Sequence, residues 1–332
     1  MPNPHIDGKV ILITGGTGSF GTKFVKTALA EHEPAAVRIY SRDELKQYNL
    51  QRELEADERV RFLIGDVRDG ERLKMAMRGA DIVIHAAALK QVPACEYNPF
   101  EAVQTNIHGA ENVVTAAIAN DVPCTLALST DKAVNPVNLY GATKLAAEKI
   151  VTQGNAYAGD SRVRFASMRY GNVVGSRGSV IPLFKAQALE GELTITDEDM
   201  TRFWITLEQA VEFVISCIGL MQGGEVFVPR IPSMRVRDIA DAIAPDATRR
   251  IIGIRPGEKI HEVLITEDES RHARVLADRY VIYPPFPFWS RSMSELLGEE
   301  LPPGFRYSSD NNDAWLGADD IRAMAELVPA IA

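Results

Sequence analysis

The stretch Val10-Ile11-Leu12-Ile13-Thr14-Gly15-Gly16-Thr17-Gly18-Ser19-Phe20-Gly21 decides the fold. Its first five residues form a continuous apolar run, as expected of a parallel strand covered on both faces. Gly15, Gly18 and Gly21 then follow in G-x-x-G-x-x-G spacing. Glycines at such places let the backbone turn tightly, approach a pyrophosphate and bring a helix close to a sheet, with the anion on the helix N-terminus. Between a first strand and a first helix, the pattern points to dinucleotide binding.

Outward from this stretch, similar short runs recur at Ala36–Tyr40, Val60–Ile64, Ile82–His85, Thr125–Leu128 and Val163–Met168. Helical periodicity fills the gaps, notably over Phe20–Glu31, Phe100–Asn120 and Tyr140–Gln153. Strands alternating with helices imply right-handed crossovers and an α/β fold with a doubly wound parallel sheet of Rossmann type. The pattern loosens after Gly178. Thr201–Leu220 reads as a strand or turn followed by a helix, and Glu225–Val228 as another strand. The expected organisation is a dinucleotide-binding domain over residues 1–178, to which 203–231 returns, and a smaller, partly interleaved substrate-binding domain over 179–332.

The chain of 332 residues carries 36 Lys and Arg against 45 Asp and Glu, a net charge of −9. That balance argues against nucleic-acid binding, which needs clustered cations. Bound phosphates must instead be held by backbone amides and a few placed cations. Cys95, Cys124 and Cys217 show neither metal-ligand nor disulfide spacing, so no metal site is expected. The N-terminus has no signal-peptide pattern. Val211–Met221, the most apolar helical stretch, is too short to cross a bilayer, which takes about 20 residues. A cytoplasmic protein without membrane contact is expected.

The second strand ends in Tyr40-Ser41-Arg42-Asp43, with Lys46 one turn on. An acidic residue here would bind the ribose hydroxyls of NAD, whereas Arg accommodates the 2′-phosphate of NADP. Ser41 takes the acidic place and Arg42 follows, which favours NADP. With Asp43 as the ribose ligand the cofactor would be NAD. Gly65-Asp66-Val67 closes the third strand, where a carboxylate can meet the adenine amine, and Ala86-Ala87-Ala88 closes the fourth with small side chains.

Tyr140 and Lys144 lie one helical turn apart on one face. A tyrosine with pKa about 10 is a poor base at neutral pH, and a neighbouring cation lowers that value. Ser129 and Thr130 precede this pair with hydroxyls for a substrate oxygen. Asp131 and Lys132 add an acid and an amine that a simple dehydrogenase does not need, which suggests a second proton transfer.

Ile11–Gly21, Ser41–Gln47, His85–Pro99, Leu128–Lys144 and Arg169–Val180 together resemble the inverting UDP-N-acetylglucosamine 4,6-dehydratases, extended short-chain dehydrogenase/reductases that begin pseudaminic acid synthesis for flagellin glycosylation. The likeness continues through Thr201–Thr206, Arg255–Lys259 and Tyr307–Asn312. Thr130-Asp131-Lys132 is similar to this branch, whereas dTDP-glucose 4,6-dehydratases have Thr-Asp-Glu. The resemblance implies that Tyr140 removes the 4-hydroxyl proton as hydride leaves carbon 4 for NADP. An uncharged Lys132 then takes the carbon-5 proton and a protonated Asp131 donates to the departing 6-hydroxyl. Hydride returns to carbon 6, so no net redox occurs. Cleft burial is expected to raise the Asp and lower the Lys. Cofactor contacts carry over to Thr17, Ser19, Phe20, Glu44, Leu45, Lys90 and Val173. Substrate contacts carry over to Lys90, Asn172, Arg177, Gly178, Ser179 and Val180, and further to Thr201, Arg255 and Glu258. A homo-oligomer, dimer or hexamer, is implied as well.

Overall fold

The computed structural model describes residues 4–55, 57–175, 180–286, 296–326 and 328. Its first half alternates strands and helices: β1 (Val10–Thr14), α1 (Ser19–Glu31), β2 (Ala36–Ser41), α2 (Glu44–Glu53), β3 (Val60–Ile64), α3 (Gly70–Met77), β4 (Ile82–His85), α4 (Val92–Tyr97), α5 (Pro99–Ala102), α6 (Gly109–Ala119), β5 (Cys124–Leu128), α7 (Leu139–Ala158) and β6 (Arg164–Met168). A π-helical turn over Val103–His108 joins α5 to α6, so the one helix expected over Phe100–Asn120 is interrupted. Beyond β6 come β7 (Asn172–Val173), α8 (Val180–Ala188), β8 (Glu192–Ile195), β9 (Thr201–Ile205), α9 (Leu207–Ile218), β10 (Val226–Pro229), β11 (Ser233–Arg235), α10 (Val236–Ile243) and β12 (Thr248–Ile251). The last elements are β13 (Val263–Ile265), α11 (Glu267–Ser270), β14 (Ala273–Val275), β15 (Arg279–Ile282), β16 (Glu299–Glu300), β17 (Tyr307–Ser308) and α12 (Ala318–Glu326).

The main sheet has the order β16-β14-β15-β10-β6-β5-β4-β1-β2-β3. From β10 to β3 every pairing is parallel, and β15, β14 and β16 extend the edge antiparallel. The chain winds outward from β1 to β3, then returns to β4 on the other side of β1. This reversal makes the switch point where open α/β sheets bind ligands.

Side-chain alternation assigns the two faces. Ile11, Ile13, Ile82, Ile84, Leu126 and Leu128 join a core with Phe24, Val25 and Ala28 of α1 and Val211, Val214 and Ile215 of α9. The intervening Leu12, Val83, Ala127 and Phe165 join a second core with Leu73 of α3, Val113 and Ala117 of α6 and Val151 of α7. Each fully buried large aliphatic or aromatic side chain stabilises this sandwich by roughly 1.5–3 kcal/mol. A third core, around Ile181, Phe184, Leu193, Trp204, Met234, Ile239 and Ile321, belongs to the later elements.

One buried charge cluster ties these layers together. Arg169, directly after β6, is 1% exposed and donates to Glu148 of α7 from Nε (2.8 Å) and Nη2 (2.6 Å). Its Nη1 and Nη2 also donate to Glu269 of α11 at 2.9 and 2.6 Å, and Nη1 to the Leu264 carbonyl of β13 at 2.9 Å.

Gly141 shows how closely α7 sits on the turn after β5. A Cβ at this position would overlap the carbonyl oxygen of Lys132. Gly141→Ala must push that turn away, and overpacking of this kind costs about 1–3 kcal/mol. A lowered denaturation midpoint is expected, and an unchanged midpoint would show that the turn yields freely.

Candidate active site

The carboxyl ends of β1 to β6 open on one cleft of about 580 Å³. Gly15 has φ of 67°, and a Cβ there would stand 2.9 Å from the Ala87 backbone. A Cβ on Gly21 would stand 2.5 Å from Gly16 Cα, so only glycine lets α1 approach the loop. Gly18 caps α1 without a side-chain hydrogen bond, which leaves the first-turn amides to a ligand. Thr17, Ser19 and Phe20 line this same wall.

At the next strand end, Thr17 Oγ1 and Ser41 Oγ share a hydrogen bond of 2.7 Å. Arg42 and Lys46 line the cleft, but each already faces a carboxylate. Arg42 Nη1 lies 3.4 Å from Asp66 Oδ2, and Lys46 Nζ lies 2.5 Å from Asp43 Oδ2. Asp43 also caps α2, its Oδ1 accepting from Lys46 N at 2.9 Å. Burial works against the charge on Asp66, and Arg68 outweighs it, so the carboxyl sits below its usual range. Val67 and Ala86 line the cleft beside it, and Lys90 and Val173 lie farther along. Glu44 and Leu45 fall in the first turn of α2 outside the cleft wall, with Leu45 66% exposed.

The reacting groups converge after β5. Thr130, Lys132, Tyr140 and Lys144 all line the cleft. Asp131 does not; it is fully buried one layer behind. Its Oδ1 accepts from Thr130 Oγ1 at 2.9 Å and Lys132 Nζ at 3.0 Å. Lys132 Nζ also donates to Asn172 Oδ1 at 3.4 Å.

Two expectations about charge are corrected here. Burial disfavours the Lys132 cation, but the carboxylates of Asp131 and Glu262 overcome it and hold the amine above its ordinary pKa, not below. Burial likewise pushes the Tyr140 phenol up to about 12, and the cation pulling it back is Lys132, with a Thr130 hydrogen bond helping. Lys144 instead donates to the Leu128 carbonyl at 2.6 Å, and burial brings it down to about 8. The single-turn spacing of Tyr140 and Lys144 therefore does not make Lys144 the amine that acts on the phenol.

Among the substrate residues expected from sequence, Lys90, Asn172 and Val180 line the cleft. Arg177, Gly178 and Ser179 lie outside the described residues. Thr201 is 3% exposed behind the wall, its hydroxyl shared between His261 Nδ1 (2.8 Å) and Ser309 Oγ (2.6 Å). Arg255 and Glu258 pair with each other at 3.6 Å away from the cleft lining.

Several site residues escaped the sequence reading. Tyr170 and Trp204 line the cleft. Asn106, in the π-helical turn, accepts from Leu89 N (2.8 Å) and donates to Leu89 O (2.9 Å) and Thr143 Oγ1 (3.0 Å). It thereby fixes the loop carrying Lys90 against the helix carrying Tyr140. A polar Thr105-Asn106 pair between Val103 and Ile107 was the available signal. Thr105 Oγ1, another such residue, and Ser129 Oγ, expected from the sequence, are buried in the cleft lining without a hydrogen-bond partner among the described residues. The uncapped helix terminus, the two obligatory glycines and these hydroxyls fit a dinucleotide.

Residues 11–284 match the family model described as polysaccharide biosynthesis protein. The chain is 52% identical over 321 residues to the UDP-N-acetylglucosamine 4,6-dehydratase (inverting) of Campylobacter jejuni, covering 94% of this chain and 96% of that one. It is 42% identical to a protein of Rickettsia canadensis named UDP-glucose 4-epimerase, covering 82% of each. Among solved structures, Pen from Bacillus thuringiensis superposes with a TM-score of 0.89 at 38% identity, covering 98% of this chain and 99% of that one. The dTDP-glucose 4,6-dehydratase DesIV of Streptomyces venezuelae, solved with NAD bound, shares the fold with a TM-score of 0.67 at 24% identity, covering 76% of this chain and 86% of that one.

Asn106→Ala leaves the Leu89 amide and carbonyl unsatisfied in a half-buried place, at a cost below the roughly 1–3 kcal/mol per group of a fully buried one. A lower urea midpoint is expected together with weaker nicotinamide-dinucleotide binding by calorimetry. Wild-type values for both would refute the bracing role.

Proposed function

The chain belongs to the polysaccharide biosynthesis protein family, within the extended short-chain dehydrogenase/reductases, and on that premise we propose that it is an NADP-dependent, inverting UDP-N-acetylglucosamine 4,6-dehydratase. One observation carries the reading: Thr130, Lys132 and Tyr140 line a single cleft, with Asp131 hydrogen-bonded to two of them from behind. The dinucleotide, when bound, accepts hydride from sugar carbon 4 and returns it to carbon 6.

With its own proton lost to solvent, a loss that the Lys132 cation and the positive ring of an oxidised dinucleotide would favour, Tyr140 takes the proton of the 4-hydroxyl, with Thr130 orienting it. The 4-ketone acidifies carbon 5, and Lys132 removes its proton. An ammonium held by carboxylates cannot do this until it loses a proton, and Asp131 Oδ1, 3.0 Å away, is its acceptor. That one transfer produces a neutral amine and a carboxylic acid together. The acid's proton then reaches the departing 6-hydroxyl through Thr130, whose hydroxyl bonds the same oxygen. Uptake of the carbon-5 proton restores the ammonium, so the pair resets as water leaves, and carbon 5 is finally reprotonated from solvent on the opposite face, which balances the proton taken from the 4-hydroxyl and inverts that centre. Asn172, Lys90 and Val180 hold the UDP-sugar, with Arg177, Gly178 and Ser179 completing the grip on the diphosphate.

Ser41, Arg42 and Lys46 favour NADP. No carboxylate stands at position 41, and Asp43, the alternative ribose ligand, is engaged as the cap of α2 and the partner of Lys46. Gly15, Gly18 and Gly21 hold the pyrophosphate, with Asp66 and Val67 at the adenine. The product is UDP-2-acetamido-2,6-dideoxy-β-L-arabino-hexos-4-ulose, the first intermediate of pseudaminic acid synthesis for flagellin glycosylation. No helix among the described residues is long and apolar enough to cross a membrane. A cytoplasmic role is part of this reading. Self-association as a dimer or hexamer belongs to the same reading, and Tyr97 and Phe100, 87% and 82% exposed on adjoining helices, are apolar surface available to it.

The name borne by the Rickettsia relative makes a 4-epimerase the second reading. An epimerase needs Tyr140 and no carbon-5 base. Lys132→Ala, mixed with UDP-N-acetylglucosamine in a single turnover, is expected to oxidise carbon 4 and then stall, accumulating reduced nicotinamide while dehydration falls at least about 10²-fold. Normal water loss from a folded Lys132→Ala protein would overturn the mechanism. Separately, calorimetric titration is expected to give tighter binding of NADP than NAD; equal affinities or tighter NAD would remove the assignment of Arg42 and Lys46.

A further inference from the structure

The segment between Arg255 and Glu262 crosses the turn after β5 and touches it repeatedly. Asn138, the cap of α7, donates from Nδ2 to the Gly257 carbonyl at 2.7 Å. Lys259 Nζ donates to the Val134 carbonyl at 2.6 Å, closing over the Asp131–Ala133 turn. Glu262, its side chain 3% exposed, places Oε1 3.7 Å from Lys132 Nζ and Oε2 3.3 Å from Lys259 Nζ. The Glu262 backbone amide is itself fixed, donating to Ser309 Oγ at 2.9 Å.

A buried carboxylate costs several kcal/mol of lost hydration unless it is paired. Glu262 has no hydrogen bond at Oε2 among the described residues, and its only cations are Lys132 and Lys259. What the position determines is the environment of Lys132 Nζ, which lies between Asp131 on one side and Glu262 on the other.

We propose that Glu262, balanced by Lys259, is a positioning residue of the reaction: it holds the Lys132 amine against Asp131 and sets the pH range over which the Lys132–Asp131 pair works. The proposal rests on the dehydratase reading, in which Lys132 is the carbon-5 base. The proton that moves goes from Lys132 Nζ to Asp131 Oδ1, and Glu262 takes no part in that transfer. A negative charge 3.7 Å from Nζ favours the ammonium and so opposes that transfer. Lys259, 3.3 Å from the same carboxylate, offsets part of it. The other groups facing Lys132 are Arg202 of β9 and Tyr140 of α7, and Arg202 acts against the ammonium.

The sign follows for each variant. Glu262→Gln removes a carboxylate while keeping shape, so both Lys132 and Asp131 lose their protons more readily. The pH profile of the dehydration step, read as decay of reduced nicotinamide in a single turnover of the holoenzyme, is expected to move to lower pH by about one unit or more. Lys259→Gln uncovers the Glu262 charge and is expected to move the same profile to higher pH, with KM for the sugar nucleotide near wild type in both. Opposite shifts in the two variants cannot arise from loosened packing, and Lys259→Gln still tests the idea if Glu262→Gln does not fold. Profiles that coincide with wild type in a folded variant overturn the proposal. Lys132→Ala separates the two levels: if it stalls while the profiles coincide, Glu262 is structural and the dehydratase reading stands. If it dehydrates normally, the reading of Lys132 itself is lost.

Discussion

A sheet covered on both faces leaves polar chemistry a single place to go, the edge where its strands end. The alternation of Ile11, Leu12 and Ile13 commits successive side chains to opposite cores, so nothing along β1 is free to meet a ligand. The same holds for β4 and β6, whereas the last residue of β5, Leu128, lines the cleft. Much of the cleft lining therefore appears within a few residues of a strand's carboxyl end: Gly15 after β1, Ser41 closing β2, Asp66 after β3, Ala86 after β4, Thr130 to Lys132 after β5 and Tyr170 after β6, with Tyr140 and Lys144 added by α7. Burial of apolar area stabilises the sheet, and the residual unpaired backbone at its edge becomes the binding surface.

Net charge says little about the electrostatics of such an edge. The chain carries −9 overall, yet its cleft is lined by Lys46, Lys90, Lys132 and Lys144. Of these, Lys46 and Lys132 are locally neutralised by carboxylates. Burial and pairing pull in opposite directions, and the outcome differs between two lysines of the same cleft. Lys144, whose Nζ bonds a carbonyl, yields to burial and falls to about 8. Lys132, with carboxylates on two sides, is held above the ordinary lysine value. Residue type alone does not distinguish these cases; the neighbours do.

The fold was legible because its signals are periodic and local. The strand ends and the glycine loop follow from runs and spacings that need no partner elsewhere in the chain. The charge states were not legible, because Glu262 and Lys132 are 130 residues apart in a sequence where only their numbers are visible. Thr201 illustrates the converse difficulty: its place in a motif suggested contact with substrate, whereas the tertiary structure spends its hydroxyl on His261 and Ser309. The π-helical turn at Val103–His108 is marked in the sequence only by the polar Thr105-Asn106 pair, and it takes the backbone to show that Asn106 meets the Leu89 loop. The antiparallel edge strands β14 and β15 are short, three and four residues, and carry too little pattern to be found without their partners.

Arg169 has a consequence for how the chain holds together as a thermodynamic unit. Its guanidinium is satisfied by Glu148 of α7 and by Glu269 and the Leu264 carbonyl from later in the chain. Withdrawing the latter pair strands part of a buried cation, and breaking one side of such a cluster typically costs about 3–5 kcal/mol. That is a large fraction of the roughly 5–15 kcal/mol by which a folded protein exceeds its unfolded state. Loss of the late elements therefore destabilises the first 170 residues as well, so the stability of the dinucleotide loop's own sheet is coupled to residues a hundred positions downstream.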